Sequence, residues 1–246
     1  MRAGKPDHRP SCKPYDRSMK SILAGAEPGL ARLLLGPGVT TARPLPTETS
    51  RVEMRHRDVL LDVVWNGQPV LVHVEFQVSH GRHMLSRMLR YYADVISSRG
   101  TRIPVYQVAL CLGSTVPTSA TYLCHRFADD SYLDYRYRVV ALGGLSWNDI
   151  IGTGCPRLWA LLPLVERQRR RADPEAYLRA CVEKIASSPL PPEEKCDTAL
   201  AASVLAGLVV QRDRVDRIFK EVLAMFDITK SSTYQLLTEK AHEEGR

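Results

Sequence analysis

Between Asp58 and Ser79 the chain reads "DVLLDVVWNGQPVLVHVEFQVS", two apolar runs joined by Asn66-Gly67. That dipeptide between alternating apolar residues is a strong signal for a two-residue β-hairpin. Counting outward from it, Trp65 faces Gln68, Val63 faces Val70 and Leu61 faces Val72. The same register sets Asp58 opposite Glu75. Period-two alternation then puts Val70, Val72, Val74, Phe76 and Val78 on one side. Leu71, His73, Glu75 and Gln77 take the other, with Asp58 and Asp62. Pro69 falls opposite Val64 at a pair that exchanges no ladder bonds, so it costs this hairpin none.

The rest of the chain follows from the same reading. "SMKSILAGAEPGLARLLLG" predicts one or two short helices, broken at Pro28 and ended by Gly36-Pro37. Residues 37–50 predict a loop or an irregular edge strand. "MLSRMLRYYADVISSR" repeats apolar residues at helical spacing and stops near Gly100. "IPVYQVALCLG" predicts a buried strand, and "TYLCHRFAD" and "LDYRYRVVAL" two shorter ones. From about Cys155 helical segments take over: "PRLWALLPLVERQRRR", "PEAYLRACVEKIAS", "CDTALAASVLAGLVVQ" and "RVDRIFKEVLAMF". Pro174 behind Asp173 has the form of a capped helix start. The expectation is an α+β fold: a tail at 1–17, an α+β domain at 18–152 and a helical region at 153–246.

Composition narrows the class. A chain of 246 residues, 44% hydrophobic and 25% charged, can bury a core without staples. The net charge of +7 favours a polyanionic partner. The six cysteines form no CxxC pair and have no zinc-finger spacing, which predicts reduced thiols in a cytoplasmic protein. The polar, proline-containing start has no signal-peptide core, and no apolar run reaches membrane-spanning length. There is no glycine-rich phosphate loop, Gly-x-Ser-x-Gly elbow or Cys/His pair, so no organic cofactor is expected. The basic run "ERQRRR", residues 166–171, is a candidate phosphate contact, although such a run is more often a solvated helix end that suits the dipole.

The chemistry concentrates on the hairpin. Carboxylates directly opposite each other repel across about 5 Å. Protonation of one, a nearby Arg, or a divalent cation between them would relieve this, and hard oxygen ligands suit Mg2+. Asp62 is the rival to Asp58, but it pairs with Leu71, farther from Glu75. His73 shares the face, as a supporting group or a strand histidine with its bonds satisfied. The same pattern also fits an ordinary amphipathic strand with its acids in solvent.

An Asp at the start of one strand and Glu-x-Gln on the next, Asp58 and Glu75 to Gln77, resembles the PD-(D/E)XK nuclease motif. The ordered set "RHRDVLLDV", "VLVHVEFQ", "MLSRMLRYYADV" and "VYQVALCLG" resembles the Rpn family of recombination-promoting nucleases, also labelled putative transposases. The likeness covers roughly residues 50–170. The ending "MFDITKSSTYQLLTEKAHEEGR" is similar to tails of bacterial, notably cyanobacterial, members. The resemblance implies a mixed sheet flanked by helices in α-β-β-β-α-β order, and an endonuclease that hydrolyses DNA with Mg2+. Asp58, Glu75 and the Phe76 carbonyl would hold the metal, and Gln77 would orient water. Gln77 stands where many superfamily members have Lys and brings no positive charge, which implies lower intrinsic activity. Arg87 and Tyr91, four apart on one helical face, would contact the site or phosphate and support it; apart from the resemblance, Arg87 would replace the missing charge, and Tyr91 equally fits a core aromatic. Glu48 and Glu53 are candidates for an upstream acid. Many superfamily nucleases act as dimers, so a homodimer is compatible. The rival is a catalytically silent DNA- or partner-binding protein on the same scaffold.

Overall fold

The structure is a computed structural model describing residues 13–45, 58–78, 83–100, 102–113, 121–127 and 130–223. The hairpin forms as expected. β2 (Val59–Trp65) pairs antiparallel with β3 (Gln68–Gln77) in the register Val59–Val74, Leu61–Val72 and Trp65–Gln68. Asn66 and Gly67 take φ of 50° and 77°, the positive values a type I′ turn demands. β1 (Val39–Pro44) adds an edge strand, and β3 then pairs in parallel with β4 (Val105–Cys111). β7 (Arg138–Ala141) completes a five-stranded mixed sheet in the order β1-β2-β3-β4-β7. β5 (Tyr122–Phe127) and β6 (Asp130–Arg136) form a separate antiparallel pair. "LDYRYRVVAL" is thus split at Tyr137, with β6 and β7 in different sheets.

Each face of the main sheet is covered. α3 (Met84–Arg99) connects β3 to β4 and buries Met84, Met88, Tyr91 and Val95, one stripe at helical spacing. Met84 and Met88 pack with Ala109, Tyr135 and Tyr137, and Val95 packs with Leu60 and Leu71. The opposite face presents Leu61, Val63, Val72, Val74, Phe76, Val108 and Leu110 to the other helices. These are α1 (Lys13–Leu23), α2 (Glu27–Leu35), α4 (Trp147–Ile151), α6 (Pro174–Ala186), α7 (Pro192–Ala206) and α8 (Arg212–Leu223). Pro28 sits in the first turn of α2, where a missing N–H costs nothing.

Three details differ from the sequence reading. α1 begins at Lys13, inside the stretch expected to be tail. "PRLWALLPLVERQRRR" is a 3-10 segment, Pro156–Leu164, followed by α5 (Arg167–Ala172). Pro163 lacks a donor and Glu166 turns left-handed at φ 48°, which together prevent a continuous helix. Leu158, Leu178, Ala202 and Leu205 also belong to the same buried cluster as Val72 and Val74, so the helical region and the sheet share one core. Asp173 caps α6 by accepting from the Ala176 N–H at 3.0 Å, as expected. Among the described residues no helix is long and apolar enough to cross a membrane.

Candidate functional site

The register brings the polar residues of the hairpin to one end of the sheet. Strand alternation turns the N–H groups of even-numbered β3 residues toward β2. The last backbone pair of the two strands is Val59–Val74, so the next even residue, Phe76, has no β2 backbone opposite it. The Asp58 carboxylate takes that place, with Oδ2 accepting from the Phe76 N–H at 2.7 Å. A charged acceptor there satisfies a donor that β2 leaves unpaired.

Glu75 is buried, at 5% exposure, beneath α3. The solvent-face reading therefore does not describe it. Its Oε1 lies 3.3 Å from Nη2 of Arg87, one turn into α3, whose side chain is 39% exposed. Of the three ways to relieve two facing carboxylates, a neighbouring Arg is thus present, and Asp58 has its own amide. Glu75 Oε2 lies 3.5 Å from Nε2 of His73, longer than an ordinary hydrogen bond. Both of those buried atoms lack a hydrogen-bond partner.

His73 is fully buried, and Tyr91 from α3 stands against it edge-on, ring centroids 5.3 Å apart. The parallel register sets His73 beside Gln107 of β4. Gln107 Nε2 lies 2.9 Å from His73 Nδ1 and donates to the Met88 carbonyl at 3.0 Å. Gln107 Oε1 accepts from the Tyr135 hydroxyl at 2.5 Å. Burial raises the Tyr135 pKa, so the phenol keeps its proton. The resulting chain runs Tyr135, Gln107, His73, Glu75, Arg87. It crosses β6, β4, β3 and α3.

The structure therefore gathers Glu75, Arg87, His73 and Tyr91 in direct contact, with Asp58 bonded to the Phe76 amide beside them. Gln77 follows at the end of β3, half-buried, its carbonyl accepting from the Leu112 N–H at 2.7 Å. Asp62 is not part of this group. It is exposed and lies opposite Leu71 on one side and Arg43 on the other. Glu48 and Glu53, and the tail beginning at Met225, lie outside the described residues. Asp58 also borders a cavity of about 230 Å³ that Lys20 and Glu27 line from α1 and α2.

Sequence reasoning missed Gln107 and Tyr135. The one signal was a lone amide inside the apolar run "VYQVALC", which only needs a partner once the strand is buried on both faces. Within the basic run one arginine is buried, while Arg169 and Arg171 are exposed. Arg170 is 2% exposed and donates to the Pro163 and Val165 carbonyls, while Arg169 pairs with Glu166 and lies over the Trp147 and Tyr177 rings. Burial pushes the Cys111 thiol up to about 11, which removes it as a thiolate nucleophile near neutral pH. Among the described residues no cluster of three or more His, Cys, Asp or Glu side chains is arranged to hold a metal ion. Compared with known proteins, the chain matches no family model, no curated protein and no solved structure.

Proposed function

We propose that this protein is a divalent-cation-dependent DNA endonuclease with a PD-(D/E)XK core of the Rpn type. The observation that carries the reading is the hairpin end: the Asp58 carboxylate on the Phe76 N–H, next in the chain to a buried Glu75 that has Arg87 against it. The donor set fits Mg2+ in kind, since it consists of hard oxygens, two carboxylates and the Phe76 carbonyl. Glu75 Oε2 makes no hydrogen bond, and with His73 Nε2 3.5 Å to one side it keeps a lone pair that a cation would use. When bound, the ion would supply a Lewis acid for the phosphoryl oxygen and a lowered pKa for water.

The chain's own residues do the rest. Asp58 is held by the Phe76 N–H, so its second oxygen keeps a defined direction. Gln77 would orient the attacking water through neutral hydrogen bonds. Arg87, partly exposed beside Glu75, can turn a guanidinium N–H toward a phosphate, where it would stabilise the charge that grows during in-line attack. The net charge of +7 would favour DNA as substrate at low salt.

Supercoiled plasmid with and without Mg2+ tests this. Wild type should produce nicked and linear forms only with the ion, and Asp58→Ala and Glu75→Gln should produce none while keeping the wild-type circular dichroism. Equal nicking by wild type and both variants would end the proposal.

A second reading has its own support. Arg87 already neutralises Glu75, and Gln77 carries no charge, so the scaffold can be stable with no ion at all. A DNA-binding protein without catalysis would shift plasmid on a gel, with or without Mg2+, and leave it supercoiled.

A further inference from the structure

The buried amide of Gln107 is used up by its partners, and its orientation follows from one of them. The Met88 carbonyl can only accept, so the Gln107 atom 3.0 Å away must be the NH2 group. The other end must then be the oxygen, which agrees with a Tyr135 hydroxyl donating to it at 2.5 Å. An NH2 group facing His73 Nδ1 at 2.9 Å must donate there too. Nδ1 is therefore the acceptor nitrogen of a neutral ring, and the ring proton sits on Nε2. Nε2 lies 3.5 Å from Glu75 Oε2, beyond an ordinary hydrogen bond, so the N–H acts on the carboxylate there as a nearby dipole.

We propose that Gln107 is a positioning residue, which fixes the His73 proton on Nε2 and through it holds the Glu75 carboxylate against Arg87. The role in catalysis rests on the nuclease reading; the proton's position does not. The physical need is plain. With the opposite tautomer, the Nε2 lone pair would face a carboxylate oxygen inside a buried pocket, and the NH2 of Gln107 would face an N–H. Both contacts would turn repulsive at once. The Tyr91 ring packs nearly perpendicular to the His73 ring, centroids 5.3 Å apart, which adds to its packing in place. The proposal assigns a reason to an arrangement that apolar packing alone does not require, a Tyr, a Gln and a His buried in series between β6, β4 and β3.

The test is the ring-nitrogen NMR spectrum of the full chain labelled with 15N-histidine, without any metal. The His73 signals are assigned by their loss in His73→Asn. Wild type should show Nε2 protonated and Nδ1 unprotonated. Gln107→Glu places an acceptor opposite Nδ1, and a proton should appear there. Tyr135→Phe leaves both amide donors in place and should keep the wild-type pattern. Plasmid cleavage by Gln107→Glu should fall about 10- to 100-fold, the usual cost of losing a group that orients a ligand. A wild-type Nδ1–H, or a spectrum unchanged in Gln107→Glu, overturns the proposal. If Gln107→Glu does not fold, wild type and Tyr135→Phe decide it: an Nδ1–H in either one overturns it, and Nε2–H in both supports it. A wild type with Nε2–H that never cleaves DNA removes the nuclease reading and leaves the proton assignment standing.

Discussion

Glu75 shows how a charged residue is kept on a buried strand. Its two oxygens face different groups, Arg87 on one side and His73 on the other, and each contact is made from an element that packing has already ordered. Removing Arg87 would leave a carboxylate 5% exposed with no other arginine or lysine paired to it among the described residues. The Arg87→Ala variant should lose stability by more than the ~1 kcal/mol of a surface pair and less than the 3–5 kcal/mol of a fully buried one. Its Nη2 lies 3.3 Å from Glu75 but the side chain remains 39% exposed, which is why the lower half of that range is expected. Urea denaturation measures it, and Arg87→Lys should recover part of the loss without restoring the planar fork. A stability equal to wild type in Arg87→Ala would show that the ion pair is incidental.

The hairpin is the element on which the candidate site depends. A slip of β3 by one residue would move His73 and Glu75 to the face that packs on α1 and α2. Two features prevent it. The alternation of Val70, Val72, Val74 and Phe76 commits one face to the larger core, and the Asn66-Gly67 turn fixes where counting starts. Gly67 sits at φ 77°, and a Cβ built there would meet nothing within 4 Å. Gly67→Ala should therefore cost about 1 kcal/mol through backbone strain alone. Because the register survives, the His73 ring-nitrogen spectrum should not change. Gly29 is a different case, since a Cβ there would collide with the Cys155 side chain, joining α2 to the residue that starts the 3-10 segment.

At the scale of the molecule, one core decides behaviour. The helices after Pro156 cover the sheet face opposite α3, and Leu178 and Leu205 are buried with Val72 and Val74. Sheet and helical region should unfold together. Trp65 at the hairpin and Trp159 in the 3-10 segment report the two parts separately. Variants keeping one tryptophan each should give the same denaturation midpoint, and two distinct midpoints would refute the shared core. Leu205→Ala should lower both midpoints together, with a loss of about 2–5 kcal/mol.

Much of this was legible in the chain itself. Periodicity located the hairpin, its turn, its register and its polar face, because each depends on near neighbours and on a strict period of two. Helix stripes and the Asp173-Pro174 start were legible for the same local reason. Pairings between distant segments were not. Nothing local in "VYQVALC" says that Gln107 will meet His73, or that Tyr135 will come from a separate two-stranded sheet to complete the chain. Nothing local says that the polar face of β3 will lie under α3 rather than in water. Local sequence determines which face of a strand a side chain occupies; only tertiary packing decides what covers that face, and so whether a carboxylate there is a solvated charge or a buried one with chosen partners.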